Sequence, residues 1–120
     1  MKKLLLLFLL SLTFGLGQLV AQDVFFSEYV EGGSNNKVIE IYNGTGGAID
    51  MSEYTINRYS NGSGTVGGSV TLAAVMLAAG DVYVVAHPSS DAAIIAETDE
   101  TSGILSFNGD DAIELVHNGT

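Results

Sequence analysis

The sequence predicts an all-β sandwich, and three observations carry that reading. Short runs of alternating apolar and polar residues recur along the chain, the period-2 pattern of half-buried strands. Asn-Gly pairs stand between or after these runs at Asn43, Asn61, Asn108 and Asn118, and Asn-Gly supplies the positive φ angles that tight hairpins demand. Fifteen glycines against one proline punctuate the chain mainly with turns.

Residues 24–30 and 37–42 flank the polar, glycine-bearing loop Glu31-Gly-Gly-Ser-Asn-Asn36 and read as a hairpin. Residues 54–59 form the next strand, with Tyr54 and Ile56 alternating with polar neighbours. The glycine-rich segment 62–68 lacks the Lys-Ser/Thr ending of a phosphate loop and precedes no helix, so it reads as a flexible connection to strand 69–72. Residues 82–86 are a continuous apolar strand. Segment 91–97 is the one plausible helical turn, with Asp91 placed as N-cap, and is expected to lie across an open end of the sandwich. Residues 103–107 and 111–117 complete the strands. The expected core is Phe25 or Phe26, Ile39, Ile41, Tyr42, Ile56, Leu72, Val82, Val84, Phe107, Ile113 and Leu115. Because no strand follows the turn Asn118-Gly-Thr120, the last strand is expected to lack a partner, and the chain to be a fragment of a longer polypeptide.

Residues 1–21 have a different character. Lys2 and Lys3 precede a leucine-dominated core from Leu4 to about Leu16, which leads to Gln18-Leu-Val-Ala21, the three regions of a signal peptide. Ser11, Thr13, Gly15 and Gly17 interrupt the apolar run, which falls short of the ~20 residues of a membrane span. The expectation is cleavage after Ala21 or Gln22, a secreted or cell-surface location, no stable membrane span afterwards, and one domain over 22–120. Loss of the leader leaves Lys37 and Arg58 against fourteen carboxylates, a net charge of −12. Such a surface repels phosphate backbones and anionic lipid, which argues against direct nucleic-acid binding and suits solubility outside the cell and cation binding better. There is no cysteine, so stability rests on packing without disulfides or thiolate chemistry.

The stretch Phe26-Ser-Glu-Tyr-Val-Glu-Gly-Gly-Ser-Asn-Asn-Lys-Val-Ile-Glu-Ile-Tyr-Asn43 resembles the opening hairpin of the bacterial lamin-tail domain. Ala48-Ile-Asp-Met-Ser-Glu-Tyr-Thr-Ile56 is similar to the segment where such domains drop from a loop into the next strand. Leu77-Ala-Ala-Gly-Asp-Val-Tyr-Val-Val-Ala86 is similar to their mid-domain turn and strand, and Phe107-Asn-Gly-Asp-Asp-Ala-Ile-Glu-Leu-Val116 to their late hairpin. The resemblance covers residues 24–120 in order, and departs from the pattern by stopping before the closing strand. It implies an immunoglobulin-like β-sandwich with no catalytic residues of its own, serving as a binding or anchoring module of an exported protein with a protein or cell-surface component as partner; no cofactor is expected. The alternative is the N-terminal accessory part of a secreted hydrolase, most plausibly a metal-dependent nuclease, with catalysis beyond Thr120.

Among candidate sites, Glu28 and Glu40 come first. If Val30 pairs with Val38, Glu28 stands opposite Glu40 and Phe26 opposite Tyr42, so two like charges interrupt apolar faces and call for compensation. Arg58 could bridge the pair, or a hard divalent cation such as calcium could. Asp110 and Asp111 are the other calcium candidates by composition, without the spaced ligand series of a calcium loop. His87 and His117 have no neighbouring Cys or second His to form a zinc set, and no nucleophile-elbow sequence frames Ser89 or Ser90. Asn43, Asn61 and Asn118 satisfy the glycosylation sequon, but hairpin turns account for all three. Tyr29, Tyr42, Tyr54, Tyr59 and Tyr83 read as half-buried core aromatics.

Overall fold

The computed structural model describes residues 23–118. The leader expected over 1–21, and Gly119 and Thr120 of the last turn, lie outside the described residues. The order is β1 (Val24–Glu31), β2 (Lys37–Asn43), β3 (Ile49–Asp50), a 3-10 turn (Met51–Glu53), β4 (Tyr54–Tyr59), β5 (Gly68–Thr71), β6 (Met76–Leu77), β7 (Val82–Ala86), α1 (Ala92–Ile95), β8 (Glu100–Thr101) and β9 (Ala112–His117). Strands β1-β2-β7-β8 form the first sheet, β5-β4-β9 the second, and β3-β6 a short separate ladder. All pairings are antiparallel except β7 with β8.

The core lies where the two main sheets face each other. Ile39 and Ile41 of β2 and Tyr83 and Val85 of β7 enter it from the first sheet, and Tyr54 and Ile56 of β4 from the second. Leu77 of β6, Met51 of the 3-10 turn, and Leu72, Leu105 and Phe107 of the connections close it. Phe26, Ile113 and Leu115 pack against its margin. Tyr83 is buried, and its hydroxyl donates to Glu100 Oε2 at 2.9 Å. That oxygen also accepts from the Ala73 amide at 3.0 Å, tying β8 to the connection after β5. Burial, and then the Glu100 carboxylate, push the Tyr83 hydroxyl well above the usual tyrosine range.

Several expectations are corrected. Val82, Val84 and Tyr42 point away from the core, because Tyr83, Val85, Ile39 and Ile41 take the inward positions. In a five-residue apolar run both parities are apolar, so alternation cannot tell which side faces in. Phe26 packs inward, whereas Phe25 is exposed. Residues 103–107 join no ladder, although Leu105 and Phe107 reach the core from this connection. The last strand does have a partner: β9 pairs with β4 over six residues, Tyr54–His117 through Tyr59–Ala112. Asp91 precedes α1 as expected but makes no side-chain cap bond. Helix α1 instead lies over the first sheet's outer face, where Ala93 and Ile94 share a cleft with Val38 and Val84.

Two backbone features fix two of the turns. Gly32 donates to Asn36 O at 2.8 Å, and a Cβ there would meet the same oxygen at 2.8 Å, so the closure of the loop needs glycine. The Asn61-Gly62 pair takes φ +53° and +67°, the left-handed pair of a tight turn that returns the chain toward β5. Among the described residues no helix is long and apolar enough to cross a membrane.

Candidate functional site

The outer face of the first sheet is built from three rows across β1, β2 and β7. Phe25, Tyr42 and Val82 form one row, Glu28, Glu40 and Val84 the next, and Val30, Val38 and Ala86 the third. Glu28 stands opposite Glu40, but Phe26 pairs with Ile41 and not with Tyr42. The reason is a bulge at Ser27, where the register shifts by one residue. A bulge puts one extra residue in one strand and reverses the parity beyond it. Phe26 and Tyr29 therefore both turn inward, Tyr29 stacking on Phe107 with ring centroids 4.5 Å apart, while Glu28 turns outward. The bulged residue also answers part of the charge, since its hydroxyl donates to Glu40 Oε1 at 2.7 Å.

Over this face lies a cleft of about 320 Å³. Glu28, Glu40 and Glu97 line it together with Val38, Val84, Ala93 and Ile94. The helical side of the cleft is held in place by a pair of bonds between distant loops. Asn36 Nδ2 donates to Asp91 Oδ2 and the Asp91 amide donates to Asn36 Oδ1, each at 2.8 Å. Ser90 Oγ donates to Asn35 O at 2.8 Å beside them. Beyond the helix, the Val84 amide donates to Asp99 Oδ2 at 2.8 Å and the Asp99 amide returns a bond to Val84 O at 2.9 Å. Asp91 thus fastens the helix to the β1–β2 loop where the sequence suggested a cap.

Arg58 does not bridge the glutamates. It sits on β4 in the second sheet, where Nη1 donates to Ser106 Oγ, and its Nε is buried without a hydrogen-bond partner. Lys37, the other cation of residues 23–118, donates Nζ to Gly32 O at 2.5 Å inside the hairpin. Asp110 and Asp111 lie in the turn before β9 and are not brought to the glutamate pair. Asp111 accepts from the Asn61 amide at 2.8 Å and the Asn108 amide at 3.2 Å, and Asp110 O accepts from the Gly62 amide at 3.0 Å. Among the described residues no three His, Asp or Glu side chains are grouped so as to hold a metal ion. His87 Nδ1 accepts from the Ser89 amide, and His117 stacks on Tyr54 and lies 3.4 Å from Glu53 Oε2.

The outer face of the second sheet is of the opposite kind. Tyr59 OH donates to Glu114 Oε2 at 2.6 Å, Asn57 Nδ2 to the same oxygen at 3.2 Å, and Ser69 Oγ to Asn57 Oδ1 at 2.8 Å. Thr55 bonds Thr71 at 3.0 Å and Asn118 Oδ1 at 2.9 Å. The Tyr59 hydroxyl, then Asn57, hold the Glu114 carboxyl below the usual carboxylate range, and the bond to Glu114 raises the tyrosine. This face satisfies its polar groups internally.

Sequence reasoning reached Glu28 and Glu40 but missed Val84, Ala93, Ile94 and Glu97. One signal was present: a strand apolar on both parities, such as 82–86, is covered on both sides. Nothing in the sequence marked the bulge.

Two mostly antiparallel sheets packed around one core define an immunoglobulin-like β-sandwich. The family model for the Lamin Tail Domain matches residues 18–120, and the chain belongs to that family. Searches of the curated proteins and of the solved structures find no match.

Proposed function

We propose that this chain is an exported interaction module that binds or anchors to a protein or another cell-surface component. The observation that carries the reading is the outer face of the first sheet. Phe25, Val30 and Val82 are 45, 40 and 41 % exposed there, and the core is closed without them. Phe25 and Tyr42 lie with ring centroids 5.5 Å apart and Val82 pairs with Tyr42, so these three form a contiguous apolar row. Contiguous apolar surface rimmed by polar groups is what interaction sites present. Export is supported by the composition of residues 1–21, and the net charge of −12 that its removal leaves favours protein over nucleic acid as partner.

The test is fractionation of cells producing the chain with a C-terminal epitope. The expected result is a product beginning near Gln22 or Asp23, held at the cell surface, and released into the medium by the double substitution Phe25→Ser and Val82→Ser. Epitope confined to the cytoplasm refutes the export. Hydrolysis of nucleic acid or phosphate esters by the purified chain refutes the noncatalytic role.

A further inference from the structure

We propose that the cleft between α1 and the first sheet receives a lysine or arginine side chain of the partner protein, set in an otherwise apolar segment. This inference rests on the interaction-module reading and names the partner's chemistry. Val38 and Val84 of the sheet and Ala93 and Ile94 of the helix give the cleft its apolar lining, and Glu28, Glu40 and Glu97 line it beside them. Its volume of about 320 Å³ stands at the lower end of ligand pockets, which run from ~300 to ~1,000 Å³, so it suits one long side chain better than a cofactor.

Lysine and arginine are the residues that join an apolar stem to a cationic head. The stem would lie along Val38, Val84 and Ile94. The head would reach the opposed Glu28 and Glu40, two like charges facing each other that the fold leaves without a cation. Neither Glu28 nor Glu97 has a side-chain hydrogen bond or ion pair among the described residues, and Glu40 has only the Ser27 hydroxyl. Both cations of residues 23–118 are engaged elsewhere, Lys37 in the hairpin and Arg58 at Ser106. A cation at this cleft therefore comes from outside this part of the chain.

The adjoining row gives the segment its second feature. Phe25, Tyr42 and Val82 lie one row away from Glu28, Glu40 and Val84 on the same face, within reach of an apolar residue flanking the cation. A hard divalent ion fits the donor set less well, because it takes ~6–8 oxygen ligands and four of the seven lining residues are aliphatic.

The probe is the peptide acetyl-Leu-Lys-Leu-amide, titrated into the 15N-labelled protein and followed by two-dimensional NMR. Saturable shifts are expected at the amides of Glu28, Val38, Glu40, Val84 and Ile94. Affinity should fall about tenfold in the double variant Glu28→Gln, Glu40→Gln, as two exposed charge contacts imply, and should fall again on raising the salt. The same peptide with norleucine for lysine should give no saturable shift. Absence of shifts at these amides overturns the inference, as does equal affinity for the norleucine peptide or for the double variant. Saturable shifts of the same amides by calcium chloride alone overturn it in favour of a metal site. The double variant removes a repulsion and leaves every core contact, so loss of binding is not confused with loss of fold. If the peptide fails while the epitope-bearing chain is still retained at the cell surface, this inference falls and the interaction-module reading stands.

Discussion

Substitution of Asn43 gives the sharpest test of how the fold is held. Asn43 ends β2 fully buried, and its Nδ2 donates to Gly47 O at 2.9 Å, Leu77 O at 3.0 Å and Ala78 O at 3.1 Å. Its Oδ1 accepts from the Thr45 amide at 3.0 Å and the Thr45 hydroxyl at 2.6 Å. One side chain thus joins the loop after β2 to the turn before β7, and a sequon asparagine is wholly committed to the interior. In Asn43→Ala, Gly47 O keeps the Thr45 hydroxyl and Ala78 O keeps the Asp81 amide. Leu77 O loses its side-chain bond but still stands opposite Ile49 in the β3–β6 ladder, so the Thr45 amide is the group left unmade, and at ~1–3 kcal/mol for such a group about 2 kcal/mol is expected. For a domain of this size each kcal/mol moves Tm by roughly 4–8 °C, a fall on the order of 8–16 °C.

Asn43→Asp keeps the shape but sets a second oxygen against three carbonyls. At neutral pH it should be less stable than the alanine variant, because a buried carboxylate facing acceptors is penalised as an ion. The same penalty raises its folded pKa above the unfolded ~3.9. A raised pKa adds stability below the unfolded value and loses it as pH rises through the folded one, so the deficit against the unsubstituted chain should narrow on acidification. Urea unfolding followed by far-UV circular dichroism at pH 7 and pH 4 reads both effects. A loss under about 1 kcal/mol in Asn43→Ala, or an Asn43→Asp variant as stable as the parent at pH 7, refutes the reasoning.

Val85→Ala should cost more than Val84→Ala, because Val85 is wholly buried and Val84 faces the cleft, and Leu105→Ala should cost ~2–5 kcal/mol by cavity formation; equal urea midpoints for the two valine variants would remove the assigned parity of β7. Tyr59→Phe should raise the NMR titration midpoint of Glu114, since the lost bond held the carboxyl down; in the unsubstituted chain the contribution of Glu114 to stability is present above the ordinary carboxylate range and lost as pH falls through its lowered value. Deletion of Ser27 should destabilise the hairpin severely, measured as loss of dispersed β1 amide resonances, because without the extra residue either Phe26 or Tyr29 must leave the core side or Glu28 must enter it.

Strands with one apolar parity were legible in the sequence. Residues 54–59 read correctly at both ends, because Tyr54 and Ile56 alternate with Thr55 and Asn57 and leave one choice of buried face. The hairpin 24–30 with 37–42 was legible from its glycine-bearing loop. Residues 82–86 were found as a strand but given the wrong face, since Val82, Val84, Tyr83 and Val85 all qualify as core by composition. Two-residue strands such as β3, β6 and β8 are shorter than any period can define. Residues 103–107 alternate as a strand does, yet what alternation reports is burial of Leu105 and Phe107, and burial does not require a ladder partner.

The candidate site was half legible for a related reason. Counting along ideal strands places Glu28 opposite Glu40 only together with Phe26 opposite Tyr42, and it also puts Glu28 on the face of Phe26, where a carboxylate must be compensated. The bulge at Ser27 keeps the first pairing and abolishes the second. It converts an apparent buried charge problem, for which Arg58 or a metal was the natural answer, into a pair of surface carboxylates at the floor of a cleft. Arg58 was then unavailable for a plainer reason, since a residue on β4 belongs to the opposite sheet and points toward the interior side with Ile56. Local pattern specifies which residues are strand, but one inserted residue decides which face each side chain presents. In this protein that single serine separates a glutamate that burdens the core from one that faces the cleft.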